Sequence, residues 1–207
     1  MNKVLVLFAH PNYQQSVLNK TLNQHYIGLS QVTFHDLYEE YPNFIIDIEK
    51  EQELLLTHDI IVFHHPLYWY SSPALLKEWV DVVFQHGFAY GAKGRALKNK
   101  TFVSVVTTGA DSVSYLENDS IRNVMQPFER TARFCNMDYL PPFVIHGGLK
   151  IKSEQTDSLV GKEMLITQVE LFKCFVRDLI NTEINHQELA KFNTMNEWYI
   201  QTGVSHD

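Results

Sequence analysis

The stretch Lys3-Val4-Leu5-Val6-Leu7-Phe8-Ala9 and the residues directly after it limit the fold more than any other part of the chain. A short, unbroken apolar run with β-branched content reads as a strand buried on both faces, the situation of a parallel sheet. The loop that follows is His10-Pro11-Asn12-Tyr13-Gln14-Gln15-Ser16-Val17-Leu18-Asn19. Ser16 is a good N-cap, and Val17, Leu18, Leu22 and Tyr26 then recur at helical spacing. A helix N-terminus at the carboxyl end of a first parallel strand is a ready anion site. The loop has no glycine, which argues against a GxGxxG dinucleotide fingerprint and against a Walker P-loop. A phosphate held here must use side-chain hydroxyls and amides together with the helix amides. Ser16 and Asn19 supply such groups, and His10 adds a proton-bearing ring.

The rest of the chain alternates strand and helix signals. Strands are expected at 3–9, 31–36, 59–65, 101–107 and 139–146, and helices at 17–28, 47–57, 73–86, 120–136 and 157–181. This alternation implies βαβ units, hence an α/β fold with helices on both faces of a parallel sheet. Right-handed crossovers and five strands suit the flavodoxin-like order 2-1-3-4-5. Pro141 and Pro142 open the fifth strand, which is an edge in that order and tolerates proline. Ser72 and Pro73 read as the cap and first-turn pair of the helix at 73–86. The apolar stripe of that helix is Leu75, Leu76, Trp79, Val80, Val83 and Phe84. Leu165, Val169, Phe172, Val176 and Leu179 mark one face of the helix at 157–181. Met125, Phe128 and Cys135 fit a core stripe. A length of 207 residues fits one domain over 1–182 plus a C-terminal appendage over 183–207. The appendage carries Phe192, Trp198 and Tyr199 at loose helical spacing and is expected to pack on a partner subunit.

The formal net charge is −7 with no basic cluster, which argues against nucleic acid as a partner. No apolar run reaches transmembrane length, and the N-terminal run is too short for a signal peptide. Cys135 and Cys174 fall in separate helical patterns and read as reduced core thiols of a cytoplasmic protein.

In open α/β sheets the ligand lies outside the carboxyl ends of the strands, at the switch point, here between strands 1 and 3. Three loops therefore matter: 10–16, 66–72 and 107–115. The second, Pro66-Leu67-Tyr68-Trp69-Tyr70-Ser71-Ser72-Pro73, sets three aromatics where a flat heteroaromatic ring would stack. Equally, Trp69 would serve as a cap on the core. The third, Thr107-Thr108-Gly109-Ala110-Asp111-Ser112-Val113-Ser114-Tyr115, combines close backbone approach at Gly109 with hydroxyls and amides able to bond a pyrimidine-like edge. His10, His64 and His65 gather near the strand ends, but the spacing suggests no nearby Cys or carboxylate to complete a metal site. No GxSxG elbow is present. Asp36, Glu39 and Glu40 read as a solvated loop.

Taken together, the loops resemble the flavin-dependent NAD(P)H:quinone oxidoreductases of flavodoxin-like fold. Within that family the chain most resembles the ancillary quinone-reductase subunits of bacterial glutathione-gated potassium efflux systems. The matching stretches are Ala9-His10-Pro11 with Ser16 and Asn19, Leu37-Tyr38, Tyr41-Pro42-Asn43-Phe44 and Ile46-Asp47-Ile48. They continue with His65 to Ser71, Leu75 to Asp81, His86 to Gly91, Thr107-Thr108-Gly109 and Leu140-Pro141-Pro142-Phe143. The resemblance spans about residues 1–181.

The resemblance implies bound FMN, with FAD as the alternative, and NAD(P)H as co-substrate. It implies ping-pong, two-electron hydride transfer to a quinone-like acceptor. The flavin phosphate would lie on His10, Ser16, Val17, Leu18 and Asn19. The ring system would rest against Pro66, Leu67, Tyr68 and Trp69, with its pyrimidine edge on Thr107, Thr108, Gly109 and Tyr115. Tyr115 would be the catalytic residue. The resemblance also implies a homodimer in which Tyr90 reaches the partner's site, and association with a membrane potassium efflux transporter, peripherally at the inner face. Two positions depart from the family pattern: Ala110 stands where a second glycine is common, and Ile121 where larger members carry a histidine. A flavin-binding regulatory subunit of a transporter and a one-electron carrier of flavodoxin type are the alternative readings.

Overall fold

Five strand positions form a parallel sheet in the order β2-β1-β3-β4-β5. The chain builds it as β1 (Val4–Phe8), β2 (Val32–Asp36), β3 (Ile60–Pro66), β4 (Thr101–Thr107), β5 (Asp138–Tyr139) and β6 (Phe143–Ile145). The computed structural model describes residues 1–116, 120–149, 159–181 and 185–203. The helices are α1 (Val17–Asn23), α2 (Leu37–Glu40), α3 (Ile48–Thr57), α4 (Ala74–Val83), α5 (Ile121–Val124), α6 (Gln126–Phe134), α7 (Leu159–Asn181), α8 (His186–Leu189) and α9 (Met195–Thr202). The expected fifth strand is two short ones, and both pair with β4. Pro141 and Pro142 lie between them; without N–H groups they cannot carry the ladder across.

The strands alternate their side chains between two cores. Leu5, Leu7, Ile61, Phe63 and Val106 face one side, under α3, α4 and α6. Val4, Val6, Ile60, Val62, Val103 and Val105 face the other, under α1, α7 and the C-terminal helices. Every residue of β1, β3 and β4 is buried, as a two-sided parallel sheet requires. Cys135 lies in the first core and Cys174 in the second, both buried and outside any disulfide among the described residues.

Local signals differ from expectation at three places. The N-cap of α4 is Pro73 and makes no side-chain capping bond, and the Ser72 hydroxyl does not reach the helix. Asp36 is not part of a solvated loop: it ends β2 and caps α2, accepting from the N–H groups of Tyr38 and Glu39. Tyr199 of the tail serves its own chain, 3% exposed, with its hydroxyl on Asp178.

The tail also closes a sheet edge. Asn196 on α9 accepts from the Val144 N–H at 2.8 Å and donates to the Val144 carbonyl at 2.9 Å. Two residues along, Gln168 on α7 accepts from the His146 N–H at 2.8 Å and donates to its carbonyl at 3.5 Å. Residues i and i+2 present their backbone groups to the same side of a strand. The outward-facing groups of β6 and its extension are thus paired by two side-chain amides instead of by another strand.

Candidate functional site: a cleft at the switch point of the sheet

The carboxyl ends of β1, β3 and β4 meet where the strand order reverses, and loops from each of them wall a cleft. The first wall follows β1 through a single 3-10 turn, Tyr13–Gln15, into α1. Ser16 is the N-cap, with φ −92° and ψ 108°, and its Oγ accepts from the Asn19 N–H at 3.3 Å. The N–H groups of Val17 and Leu18 lie in the first turn, where no helical carbonyl is available to them. Asn19 is 1% exposed. Its Nδ2 donates to Ser16 Oγ at 2.8 Å and to Thr107 Oγ1 at 3.1 Å. The expected phosphate role of its side-chain amide is therefore not what the geometry provides, because both donors are already engaged. Asn19 braces the first wall against the third.

His10 is almost fully buried, with Nδ1 accepting from the Asn12 N–H at 3.1 Å. Burial lowers its pKa to about 4, so the ring is neutral at pH 7 and its proton sits on Nε2. His10 thus brings a hydrogen-bond donor to the cleft rather than a positive charge. His64 and His65 do not join it there. They point to opposite sides of β3 and are fully buried, His64 against Phe8 and Tyr26, His65 against Phe128. Among the described residues, no three His, Cys, Asp or Glu side chains converge as metal ligands.

The second wall leaves β3 at Pro66. Leu67 donates to the Thr107 carbonyl at 2.8 Å. Tyr68 and Ser71 then exchange two backbone bonds of 2.9 and 3.0 Å around a two-residue turn. Both central residues have positive φ, Trp69 at 49° and Tyr70 at 60°. This is asparagine–glycine geometry, and two bulky aromatics hold it under strain. Trp69 is 94% exposed, so it does not cap the core. Tyr68 packs edge-on against His10, with ring centroids 6.1 Å apart.

The third wall is a pair of laced loops. Thr108 donates to the Ile145 carbonyl at 2.9 Å, Gly148 to Thr108 at 2.8 Å, and Leu149 to Gly109 at 3.1 Å. A Cβ on Gly148 would come within 3.1 Å of both Leu18 Cδ1 and the Thr108 carbonyl, so a side chain there would crowd the floor. Sequence reasoning missed His146, Gly148 and Leu149. The strand-end rule points to the loop after the fifth strand as well as to the three loops chosen.

One open cleft of about 180 Å³ gathers His10, Ser16, Val17, Leu18, Asn19, Pro66, Leu67, Tyr68, Thr107, Thr108 and Gly109, with Gly148 and Leu149 added. Trp69, Tyr115 and Tyr90 are not on this lining. Trp69 stands at its rim. Tyr115 lines an adjoining hollow of about 810 Å³ beside His146, under the C-terminal helices. Tyr90 lies between His86 and Phe134 of its own chain, at centroid distances of 5.5 and 5.2 Å. At the floor, Asn19 Oδ1 is a buried acceptor with no hydrogen-bond partner among the described residues. A helix start offering amides, a hydroxyl and a neutral imidazole suits a phosphate, and the buried acceptor beside it suits a sugar-alcohol hydroxyl. The donor set fits the phosphate end of a flavin mononucleotide.

Residues 2–162 match a family model described as a flavodoxin-like fold. A glutathione-regulated potassium-efflux system ancillary protein, KefG of Enterobacter sp. (strain 638), is 49% identical over 149 residues, which are 70% of this chain and 81% of that protein. The crystal structure of general stress protein 14 from Treponema denticola in complex with FMN has a TM-score of 0.73 and 36% identity, covering 86% of this chain and 99% of that one. A crystal structure of an NADPH-quinone reductase from P. pentosaceus has a TM-score of 0.67 and 32% identity, covering 81% and 96%. Sheet order, cleft position and the family match agree, and the chain belongs to the flavodoxin-like family.

Proposed function

We propose that this chain is an FMN-dependent NAD(P)H oxidoreductase acting on quinones. The observation that carries this reading is the cleft at the switch point, with its glycine-free helix start tied to the β4 loop through Asn19. The FMN-bearing and quinone-reducing relatives support it. Bound FMN would supply the redox chemistry that links a nicotinamide to a quinone.

The chain's own residues bind, orient and donate. Ser16, the first amides of α1 and the Nε2–H of His10 hold the phosphate. Pro66, Leu67 and Tyr68 give an apolar side wall. The Gly109 N–H and the Thr107 hydroxyl, which accepts from Asn19 and keeps its own proton, would address the pyrimidine edge as fixed dipoles, while Thr108 ties the wall to Ile145 and Ala110. Burial raises the pKa of Tyr115 above the ordinary phenol range, so the phenol keeps its proton at neutral pH and acts as a donor. The nicotinamide and the acceptor would occupy the cleft in turn, the order that gives ping-pong kinetics.

The reading extends to a homodimer in which Tyr90 reaches the partner's cleft, and to a cytoplasmic location. It assigns residues 1–182 to the flavin-binding domain and 183–207 to an appendage that braces the sheet edge. No helix among the described residues is long and apolar enough to cross a membrane. The likeness to the potassium-efflux ancillary protein favours a second role, docking on a transporter at the inner face of the membrane.

The test is the absorption spectrum of the purified chain, followed by NADH- and NADPH-driven reduction of a simple quinone. Tyr115→Phe should retain FMN and slow its reduction in stopped flow. A colourless chain that takes up neither FMN nor FAD would end the reading. An unchanged reduction rate in Tyr115→Phe would remove the tyrosine from the mechanism.

A further inference from the structure

His146 has no part in the function proposed above, yet it sits where the cleft wall and the adjoining hollow meet. Its main chain is held by Gln168 through the two bonds described. Its Nδ1 lies 3.0 Å from Thr108 Oγ1, and its ring centroid is 5.7 Å from that of Tyr115, with planes 32° apart. Thr108 is 2% exposed, and its Oγ1 also donates to the Ala110 carbonyl at 2.8 Å.

A hydroxyl has one proton and a neutral imidazole has one N–H. With the Thr108 proton on Ala110, Oγ1 must accept from His146, so Nδ1 carries the ring proton. That arrangement satisfies three groups at once. The reverse gives up the 2.8 Å bond to the Ala110 carbonyl and leaves it only the Gly147 N–H at 3.0 Å. Burial lowers the His146 pKa to about 4 against the opposing pull of Asp111, so the neutral ring persists at pH 7. The groups that face the ring are Thr108, Asp111 and Tyr115.

We propose that His146 is a positioning residue of the flavin site. Through the Thr108 hydroxyl, which is bonded to the Ala110 carbonyl, and through the Tyr115 ring it fixes the direction of the Gly109 N–H and of the Tyr115 phenol, and so sets how strongly this side of the cleft prefers reduced over oxidised FMN. The inference rests on the FMN reading above and assigns a role that the sequence signals did not reach. Reduction adds electron density to the edge that this wall addresses, so a donor held in one direction favours the reduced form.

The experiment is titration of the apo chain with oxidised FMN and with dithionite-reduced FMN, for the wild type, His146→Phe, His146→Asn and Thr108→Val. In His146→Phe, affinity for oxidised FMN should change by less than about threefold and affinity for reduced FMN should fall about tenfold, the scale of one hydrogen bond. The midpoint potential then drops by about 30 mV, that tenfold ratio converted for a two-electron couple. His146→Asn sets an amide N–H near the Nδ1 position and should restore most of the ratio. Thr108→Val should reproduce the loss, and adding His146→Phe to it should change the ratio no further.

A purely structural His146 would weaken both forms alike. A ratio unchanged in His146→Phe, with the wild type binding both forms, overturns the role of His146 alone. If His146→Phe does not fold, Thr108→Val with an unchanged ratio, or His146→Asn behaving as a full loss, overturns it as well. A wild-type chain that binds neither form overturns the cofactor reading, and this inference with it.

Discussion

Asn19 Nδ2 bonds Thr107 Oγ1 at 3.1 Å across 88 positions of sequence, and the same nitrogen bonds Ser16 Oγ at 2.8 Å. One buried amide therefore sets the distance between the helix start that would hold a phosphate and the β4 loop that would meet a ring edge. Asn19→Leu keeps the volume and removes both bonds. It should lower FMN affinity about tenfold or more and leave Thr107 Oγ1 without its Asn19 donor, while Ser16 Oγ keeps the backbone N–H of residue 19, at a cost of about 1–3 kcal/mol. Calorimetry and urea unfolding read the two effects. Unchanged affinity in a folded variant would show that the walls are held apart by other contacts.

The turn at Trp69 and Tyr70 is strained and points into solvent. Replacing the pair with Asn and Gly matches the positive φ values of 49° and 60°. The double variant should be more stable by about 1–2 kcal/mol. It should also reduce quinones more slowly, because Trp69, 94% exposed, has no packing role of its own to explain its presence. A variant that loses stability would show that the aromatics support the loop.

Buried neutral histidines make the fold sensitive to mild acid. Burial holds His10, His65 and His146 at about 4 and His64 at about 3. The unfolded chain protonates these rings near 6.5, so between pH 6.5 and about 4 it binds more protons than the native state. Stability falls as pH falls through that window, by roughly 1.4 kcal/mol per pH unit for each ring. Neither nitrogen of His64 has a hydrogen-bond partner among the described residues. His64→Leu should therefore stabilise the protein and flatten the slope by one proton, read from denaturant midpoints between pH 4.5 and 7. An unchanged slope would place the sensitivity elsewhere.

Glu51 is fully buried and accepts from His35 Nε2 at 2.8 Å, the Tyr41 hydroxyl at 2.5 Å and Trp79 Nε1 at 2.7 Å. Burial pushes its pKa up, but these donors outweigh that and hold it below the ordinary value of 4.5. Its contribution is complete above that value and is lost as pH falls through the lowered one. Glu51→Ala strands three donors in the core and should cost about 2–4 kcal/mol, measured by urea unfolding at pH 7. A cost under 1 kcal/mol would show that His35, Tyr41 and Trp79 find other partners.

Where the sequence was legible, the cause was strong and local. Unbroken runs such as 59–65 and 101–107 admit little besides buried strands, and Ser16 stops competing readings at the start of α1. The N-cap expected at Ser72 failed because proline at 73 takes the extended cap conformation itself, with φ −56° and ψ 151°. The split at Pro141-Pro142 was hidden by apolar residues on both sides. His146 was invisible because its neighbours come from two segments distant in sequence, Thr108 and Tyr115 from the loop after β4 and Gln168 from α7. Asn19 was read with the right location and the wrong partner, since nothing local shows that Thr107 lies behind it. Expectations that fell on residues 150–158, including the start of the long helix at 157, lie outside the described residues.

The amides of Asn196 and Gln168 on Val144 and His146 decide how this molecule can meet others. No incoming strand can add to that margin without first evicting both side chains, so growth into a continuous intermolecular ribbon is blocked on that side. Self-association on that side must proceed through helices and loops, and the exposed aromatics at Trp69 and Tyr70 stand at the rim of the cleft.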